Sequence, residues 1–235
     1  TGLRMLRPGS PLEVLPYVVS RAEFVDPGAN PYRGRTEYSS SIGADLRYRI
    51  ASNLTLNASV NPDFGQVEVD PAVVNLGVYE TFFDEKRPFF LEGSEIFDFA
   101  SENTSGGQLF YSRRIGRHPT LDAPTDESDI PPATTILGAG KITGKIGGWS
   151  VGTLGALTRR EEARYRAADG TDDKVAVEPR ATYLVSRARR ELNGGRSMIG
   201  GVATAVHRSL DSDLLRSSFR SDAGTVGLDF RHETD

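Results

Sequence analysis

Two neighbouring runs within residues 42–60 alternate apolar and polar side chains with a period of two. The apolar positions are Ile42, Ala44, Leu46, Tyr48 and Ile50 in the first run, and Leu54, Leu56, Ala58 and Val60 in the second. Successive side chains of a β-strand point to opposite faces, so each run predicts a strand with one apolar and one polar face. The turn-like residues 51–53 lie between the two predicted strands.

Such strands occur in two environments. A run of about ten residues with this alternation is typical of an outer-membrane β-barrel, whose outside meets lipid and whose inside meets water. A half-buried antiparallel sheet in a soluble protein produces the same alternation. The environment therefore has to be inferred from the rest of the chain.

Turn residues divide most of the remaining sequence into further short strands, and no helical period is sustained over a comparable length. We predict a strand over Leu12–Phe24 with Pro16 at an edge or bulge, a hairpin over residues 135–158, a pair over residues 181–208 and a last strand near Val226. The predicted fold is all-β, an antiparallel transmembrane-type β-barrel or part of a larger one, with about eight to ten strands.

Tight turns alternate with long polar connections along this series of strands. The tight turns are residues 51–53, 147–148 and 193–195, whereas residues 159–176 and 209–221 are expected to be long loops. This asymmetry matches the short periplasmic turns and longer extracellular loops of outer-membrane barrels.

Composition excludes several classes of function. The chain has 28 Lys and Arg against 32 Asp and Glu, a formal net charge of −4, which speaks against nucleic acid as a partner. It has no cysteine, which excludes disulfides, zinc–thiolate sites and cysteine nucleophiles. It starts at Thr1 with neither an initiator methionine nor a signal segment, so we expect a piece of a longer protein.

A segment of different texture follows the second strand. Residues 61–97 read NPDFGQVEVDPAVVNLGVYETFFDEKRPFFLEGSEIF, and residues 109–117 read LFYSRRIGR. Both stretches resemble the signature of an uncharacterised bacterial family, a domain of unknown function, whose predicted outer-membrane β-barrel usually follows a carbohydrate-binding module of family 9 type. The resemblance implies the bacterial outer membrane as location, outer-membrane lipid as a partner, and glycans bound through the preceding module. Nothing before Leu12 resembles that module.

Residues 61–117 are rich in phenylalanine and in charges of both signs. We predict that they form a segment inserted into the lumen of a single β-barrel domain, residues 1–235, because buried charges persist only when they are paired and hydrogen-bonded. The predicted lumen charge network consists of Asp45, Arg47, Arg49, Glu80, Glu85, Lys86, Arg87, Glu92, Arg113 and Arg114.

Asp63, Glu68 and Asp70 allow two further interpretations. Two of these carboxyl groups could cleave a glycosidic bond, which requires a separation of about 5–10 Å. The three residues are also hard oxygen ligands of the kind calcium prefers, although they lack the spacing of an EF-hand. We predict no catalytic residue and no cofactor, with calcium at these residues as the alternative.

The sequence as a whole predicts an outer-membrane β-barrel that passes solutes or anchors a glycan-binding module at the cell surface. The alternative is a secreted or periplasmic β-sandwich that binds or hydrolyses carbohydrate. Exposure of residues such as Ile42 and Leu56 favours the barrel, and their enclosure favours the sandwich. The basic cluster at Arg187, Arg189, Arg190 and Arg196 is expected to be mainly a solvated face, with an arginine-lined lumen or a contact to lipid headgroups as the alternative.

Overall fold

The computed structural model describes residues 11–24, 30–32, 34, 36–62, 83–99 and 109–233. Its strands are β1 (Leu12–Phe24), β2 (Thr36–Ala51), β3 (Leu54–Val60), β4 (Ser128–Asp129), β5 (Ile136–Ile146), β6 (Trp149–Thr158), β7 (Glu161–Arg166), β8 (Asp172–Glu178), β9 (Arg180–Leu192), β10 (Ser197–Ser209) and β11 (Asp222–His232). Two short helices are α1 (Pro88–Leu91) and α2 (Asp213–Ser218), and 3-10 turns occur at Ser94–Ile96, Ser112–Arg114 and Asn193–Gly195.

Eight strands form one antiparallel sheet in the order β1-β2-β3-β5-β6-β9-β10-β11, and β4, β7 and β8 form a second, three-stranded sheet. The predicted all-β antiparallel fold is confirmed. Among the described strands, β1 and β11 each pair on one side only, so the large sheet is open and does not close into a barrel. Pro16 lies in the edge strand β1, where proline is tolerated.

The connections of the large sheet differ between its two ends. At one end the strands are joined by the tight turns at residues 52–53, 147–148 and 193–196. Gly147 and Gly148 have φ values of 55° and 81°, a left-handed conformation that glycine adopts without steric cost. The longer connections, residues 25–35, 61–135, 159–179 and 210–221, all leave from the opposite end. We call the two ends the tight-turn end and the long-connection end.

Two of the expected loops contain regular structure, so their prediction was wrong. Residues 161–178 form the hairpin of β7 and β8, in which Arg166 lies opposite Asp172 with 3.3 Å between the charged groups. Because charged residues occur along both strands, the sequence shows no clear alternation of apolar and polar side chains there. Residues 213–218 form α2, whose N-terminus is capped by the Ser212 side chain and whose Leu215 is buried.

The two faces of the large sheet have opposite chemistry. The outer face carries the apolar positions of the alternating runs, and Ile42 and Leu228 on it are 71% and 83% exposed. Leu46, Leu54 and Leu56 on the same face are partly exposed. No part of the chain that the structure describes encloses these residues against a second sheet.

The central part of the inner face is covered by residues 83–99 and 109–117, which we call the covering segment. Its Phe90, Phe97 and Ile115 are buried with Leu154 and Val185 of the inner face in one hydrophobic core. The core therefore lies between the large sheet and the covering segment.

None of the described helices is long and apolar enough to cross a membrane.

Candidate functional site

The covering segment lies close to the sheet because glycines of the inner face leave room for it. A Cβ atom at Gly152 would lie 2.7 Å from Ile96 and 3.0 Å from Phe97. A Cβ atom at Gly227 would lie 2.6 Å from Phe99. These separations are shorter than packed carbon atoms allow, so a larger residue at either position would displace the segment.

Lys141 of β5 fixes the end of α1. Its side chain is on the inner face and only 2% of the residue is exposed. The Nζ atom donates hydrogen bonds to the backbone carbonyls of Phe89 and Glu92 and lies 5.0 Å from the centroid of the Phe89 ring. The last carbonyls of a helix have no partner within the helix, and the lysine satisfies them here.

Arg187 of β9 and Asp229 of β11 form the most buried ion pair of the described residues. Nη1 and Nη2 of the arginine donate to the two carboxylate oxygens at 2.6 and 2.5 Å, and the side chains are 1% and 10% exposed. The arginine Nε also donates to the carbonyl of Asp98, at 3.2 Å, and the guanidinium lies 5.3 Å from the centroid of the Phe99 ring. One bidentate pair therefore joins β9 to β11, across β10, and both to the covering segment.

A second buried cluster lies within the covering segment. The Arg87 guanidinium donates to the Glu85 carboxylate at 2.6 and 2.8 Å and to the carbonyls of Ser112 and Ile115. Burial alone would raise the pKa of Glu85, but the arginine and the Ser112 hydroxyl, which donates to the carboxylate at 2.5 Å, outweigh it. The pKa of this carboxyl group is therefore below its ordinary value. The cluster joins the part of the segment before residue 99 to the part after residue 109.

The structure brings together some members of the predicted charge network. Glu85 pairs with Arg87, and Glu92 pairs with Arg47 of β2 at 3.1 Å with both groups partly exposed. Arg113 donates to the carbonyl of Asp84 at 2.8 Å.

The remaining predicted members that the structure describes lie at other positions, on strand β2 or at the surface. Asp45 accepts a hydrogen bond of 2.5 Å from the Ser59 hydroxyl on the neighbouring strand. Arg49, Lys86 and Arg114 are exposed. Glu80, and the calcium candidates Asp63, Glu68 and Asp70, lie outside the described residues. Within those residues no group of three acidic or histidine side chains has the geometry to hold a metal ion.

Sequence reasoning missed Lys141, Arg187 and Asp229 as buried charges of the inner face. The expectation that the arginine cluster is a solvated face was wrong for Arg187, because its guanidinium is enclosed by the covering segment. The sequence did contain a signal, because alternate residues of a strand share a face. Arg187 lies two residues after the apolar Val185, which is buried in the core, and therefore shares its face. Arg190 has the opposite parity and is exposed, 6.0 Å from the Trp149 ring.

A cleft of about 570 Å³ lies between residues 109–117 and strands β9, β10 and β11, at the long-connection end of the sheet. Its lining includes Arg114, Arg117, Arg208, Tyr183, Thr204 and Thr225. We call it the arginine cleft. A shallower depression of about 460 Å³ lies on the outer face of the same strands, near His207.

The sequence profile of one family, a domain of unknown function (DUF5916), matches residues 8–234. The chain belongs to this family. The DUF5916 match includes both the large sheet and the covering segment, and it confirms the predicted membership of an uncharacterised family. The attached carbohydrate-binding module and the outer-membrane location are not part of the DUF5916 match and stay predictions. No curated protein and no solved structure is significantly similar to the chain.

Proposed function

We propose that this DUF5916 chain forms part of the wall of a bacterial outer-membrane β-barrel that passes small solutes, with the covering segment inside the lumen. The observation that carries the proposal is the chemistry of the two sheet faces. The outer face is apolar and exposed on successive strands, whereas the inner face holds paired charges under the covering segment. Outer-membrane barrels divide their strands in this way between lipid and lumen.

The outer face is difficult to reconcile with water on that side. Its exposed residues include Leu12, Val14, Val18, Ile42, Tyr48, Ile142, Leu184, Val226, Leu228 and Phe230. Soluble monomers rarely expose contiguous apolar patches larger than a few hundred Å². Lipid is a suitable partner because it contacts such a face without requiring a complementary shape.

Strand length and aromatic positions also support the proposal. Strand β2 has 16 residues, which at about 3.3 Å per residue and a tilt of about 40° spans roughly 40 Å, the thickness of a bilayer with its headgroups. Phe24 and Tyr38 lie towards the long-connection end of the outer face, and Tyr48, Trp149 and Phe230 lie towards the tight-turn end. Aromatic residues near both ends are typical of the girdles at membrane interfaces.

Membrane partitioning tests this proposal directly. We expect the full chain, expressed with a secretion signal in a Gram-negative host, to fractionate with the outer membrane and to require detergent for extraction. Recovery of folded protein in a detergent-free soluble fraction would contradict the proposal and would favour the secreted or periplasmic β-sandwich.

Conductance in planar bilayers tests the passage of solutes separately from the location of the protein in the membrane. We expect Lys141→Met to raise the conductance above that of the parent, because the variant removes the cation that holds the carbonyls of Phe89 and Glu92. Lys145→Met is the matched control, since Lys145 lies on the same strand face but is exposed. Equal conductance of both variants would refute the proposal that the covering segment obstructs the lumen. A membrane-resident protein without any conductance would instead indicate surface anchoring.

A further inference from the structure

The arginine cleft has the composition of an anion site. Arg114 and Arg117 reach it from the covering segment, and Arg208 reaches it from β10. No Asp or Glu is among the described residues that line it. Three cationic side chains therefore meet around about 570 Å³ of space.

The hydrogen bonds of Arg117 and Arg208 leave the charge of these two guanidinium groups in place. Arg117 donates to the Thr120 hydroxyl at 2.7 Å, and Arg208 donates to the backbone carbonyl of Arg220 at 3.2 Å. Both acceptors are neutral, so neither bond neutralises a guanidinium. The nearby carboxylate of Glu178 is buried and accepts the backbone N–H of Thr120 at 2.8 Å.

The rest of the lining suits a hydroxylated ligand. Tyr183, Thr204 and Thr225 bring hydroxyl groups to the wall, and Thr204 and Thr225 lie opposite each other on β10 and β11. Hydroxyl groups both donate and accept, so they can bind sugar-like hydroxyls beside the anion. The volume falls within the range of small-molecule sites.

We propose that the arginine cleft binds small hydroxylated organic anions, which carry a carboxylate or a phosphate group. Guanidinium groups bind such oxyanions through paired, charge-assisted hydrogen bonds. The inference rests on the proposed function in one respect: the cleft lies at the long-connection end of the inner face, where solutes would enter the lumen from outside.

Calorimetric titration of the full chain in dodecyl maltoside, a detergent without phosphate, tests the site. The probes are gluconate and inorganic phosphate, with glucose as the uncharged control. We expect both anions to bind at least tenfold more tightly than glucose. Arg208→Gln and Arg117→Gln should each weaken gluconate binding on the order of tenfold, because each removes a charge-assisted hydrogen bond. Arg180→Gln is the matched control, since Arg180 is exposed on β9 and does not line the cleft.

Three results would overturn the assignment. The first is equal binding of gluconate and glucose. The second is an equal loss of gluconate affinity in Arg180→Gln and Arg208→Gln, with unchanged circular dichroism as evidence of folding. The third is a calorimetric signal that appears only when phosphatidylglycerol is added to the micelles, which would make the ligand a lipid headgroup.

The titration is independent of membrane residence. A barrel that inserts and conducts without binding gluconate would refute the anion site and leave the proposed function standing. A protein found in the soluble fraction that binds gluconate would refute the proposed function alone.

Discussion

The ion pair of Arg187 and Asp229 offers a quantitative test of how the inner face is stabilised. Both groups are almost fully removed from solvent and joined by two hydrogen bonds of 2.6 and 2.5 Å. Asp229→Asn would leave a buried guanidinium without its counter-charge. Removing one partner of such a pair costs about 3–5 kcal/mol of folding free energy.

The matched control is an exposed pair of the same residue types. Arg164 and Asp129 lie 2.7 Å apart with side chains 54% and 34% exposed. Solvent screens such a pair, so Asp129→Asn should cost less than about 1 kcal/mol. The ratio of the folding free energies lost in the two Asp→Asn variants measures the effect of burial on the same interaction.

Urea unfolding in detergent micelles, followed by the fluorescence of Trp149, provides the assay. The free energy of unfolding of the double variant Arg187→Met/Asp229→Leu should exceed the value obtained by adding the losses of Arg187→Met and Asp229→Leu. We expect an excess of about 2 kcal/mol or more, because neither charge is left unpaired. A cost below 1 kcal/mol for Asp229→Asn, or strictly additive single variants, would refute a buried and coupled pair.

Two further predictions concern the covering segment. Gly152→Val should destabilise the protein by about 1–3 kcal/mol and expose the segment to limited proteolysis, because its side chain would collide with Ile96 and Phe97; unchanged protease resistance would contradict the close approach. Glu85→Gln should cost about 2 kcal/mol at pH 7 by unfolding measurements, because the carboxylate is hydrogen-bonded to Arg87. Folding lowers the pKa of Glu85, so its contribution to stability is present above the unfolded pKa and is lost as the pH falls through the lower folded pKa. A stability difference between parent and variant that does not shrink as the pH is lowered below the unfolded pKa would contradict this prediction.

The sequence predicted most of the strands of the large sheet because a strict period of two leaves little choice of structure. The strand Leu12–Phe24 and the second alternating run, Leu54–Val60, have the predicted bounds, and the glycine turn at residues 147–148 joins the predicted hairpin. The sequence did not predict β7 and β8. On their exposed faces charged residues lie opposite charged residues, so the alternation of apolar and polar side chains is missing.

The candidate site depended on contacts between distant parts of the chain. Arg187 and Asp229 are 42 residues apart in sequence, and only the strand order places both beside the covering segment. The arginine cleft likewise joins Arg114 to Arg208. Strand periodicity assigns each residue to a face, but it does not give the register that brings these residues together.

Quenching by brominated lipid tests most directly whether the outer face contacts acyl chains. The chain has no cysteine, so Ile142→Cys and Thr143→Cys each provide a unique labelling site for a bimane fluorophore. Ile142 lies on the outer face, and Thr143 lies on the inner face beneath Gly93 of the covering segment. In vesicles of dibrominated phosphatidylcholine, we expect strong quenching at residue 142 and little at residue 143. Equal quenching at both positions, or none at residue 142, would contradict a lipid-facing outer surface.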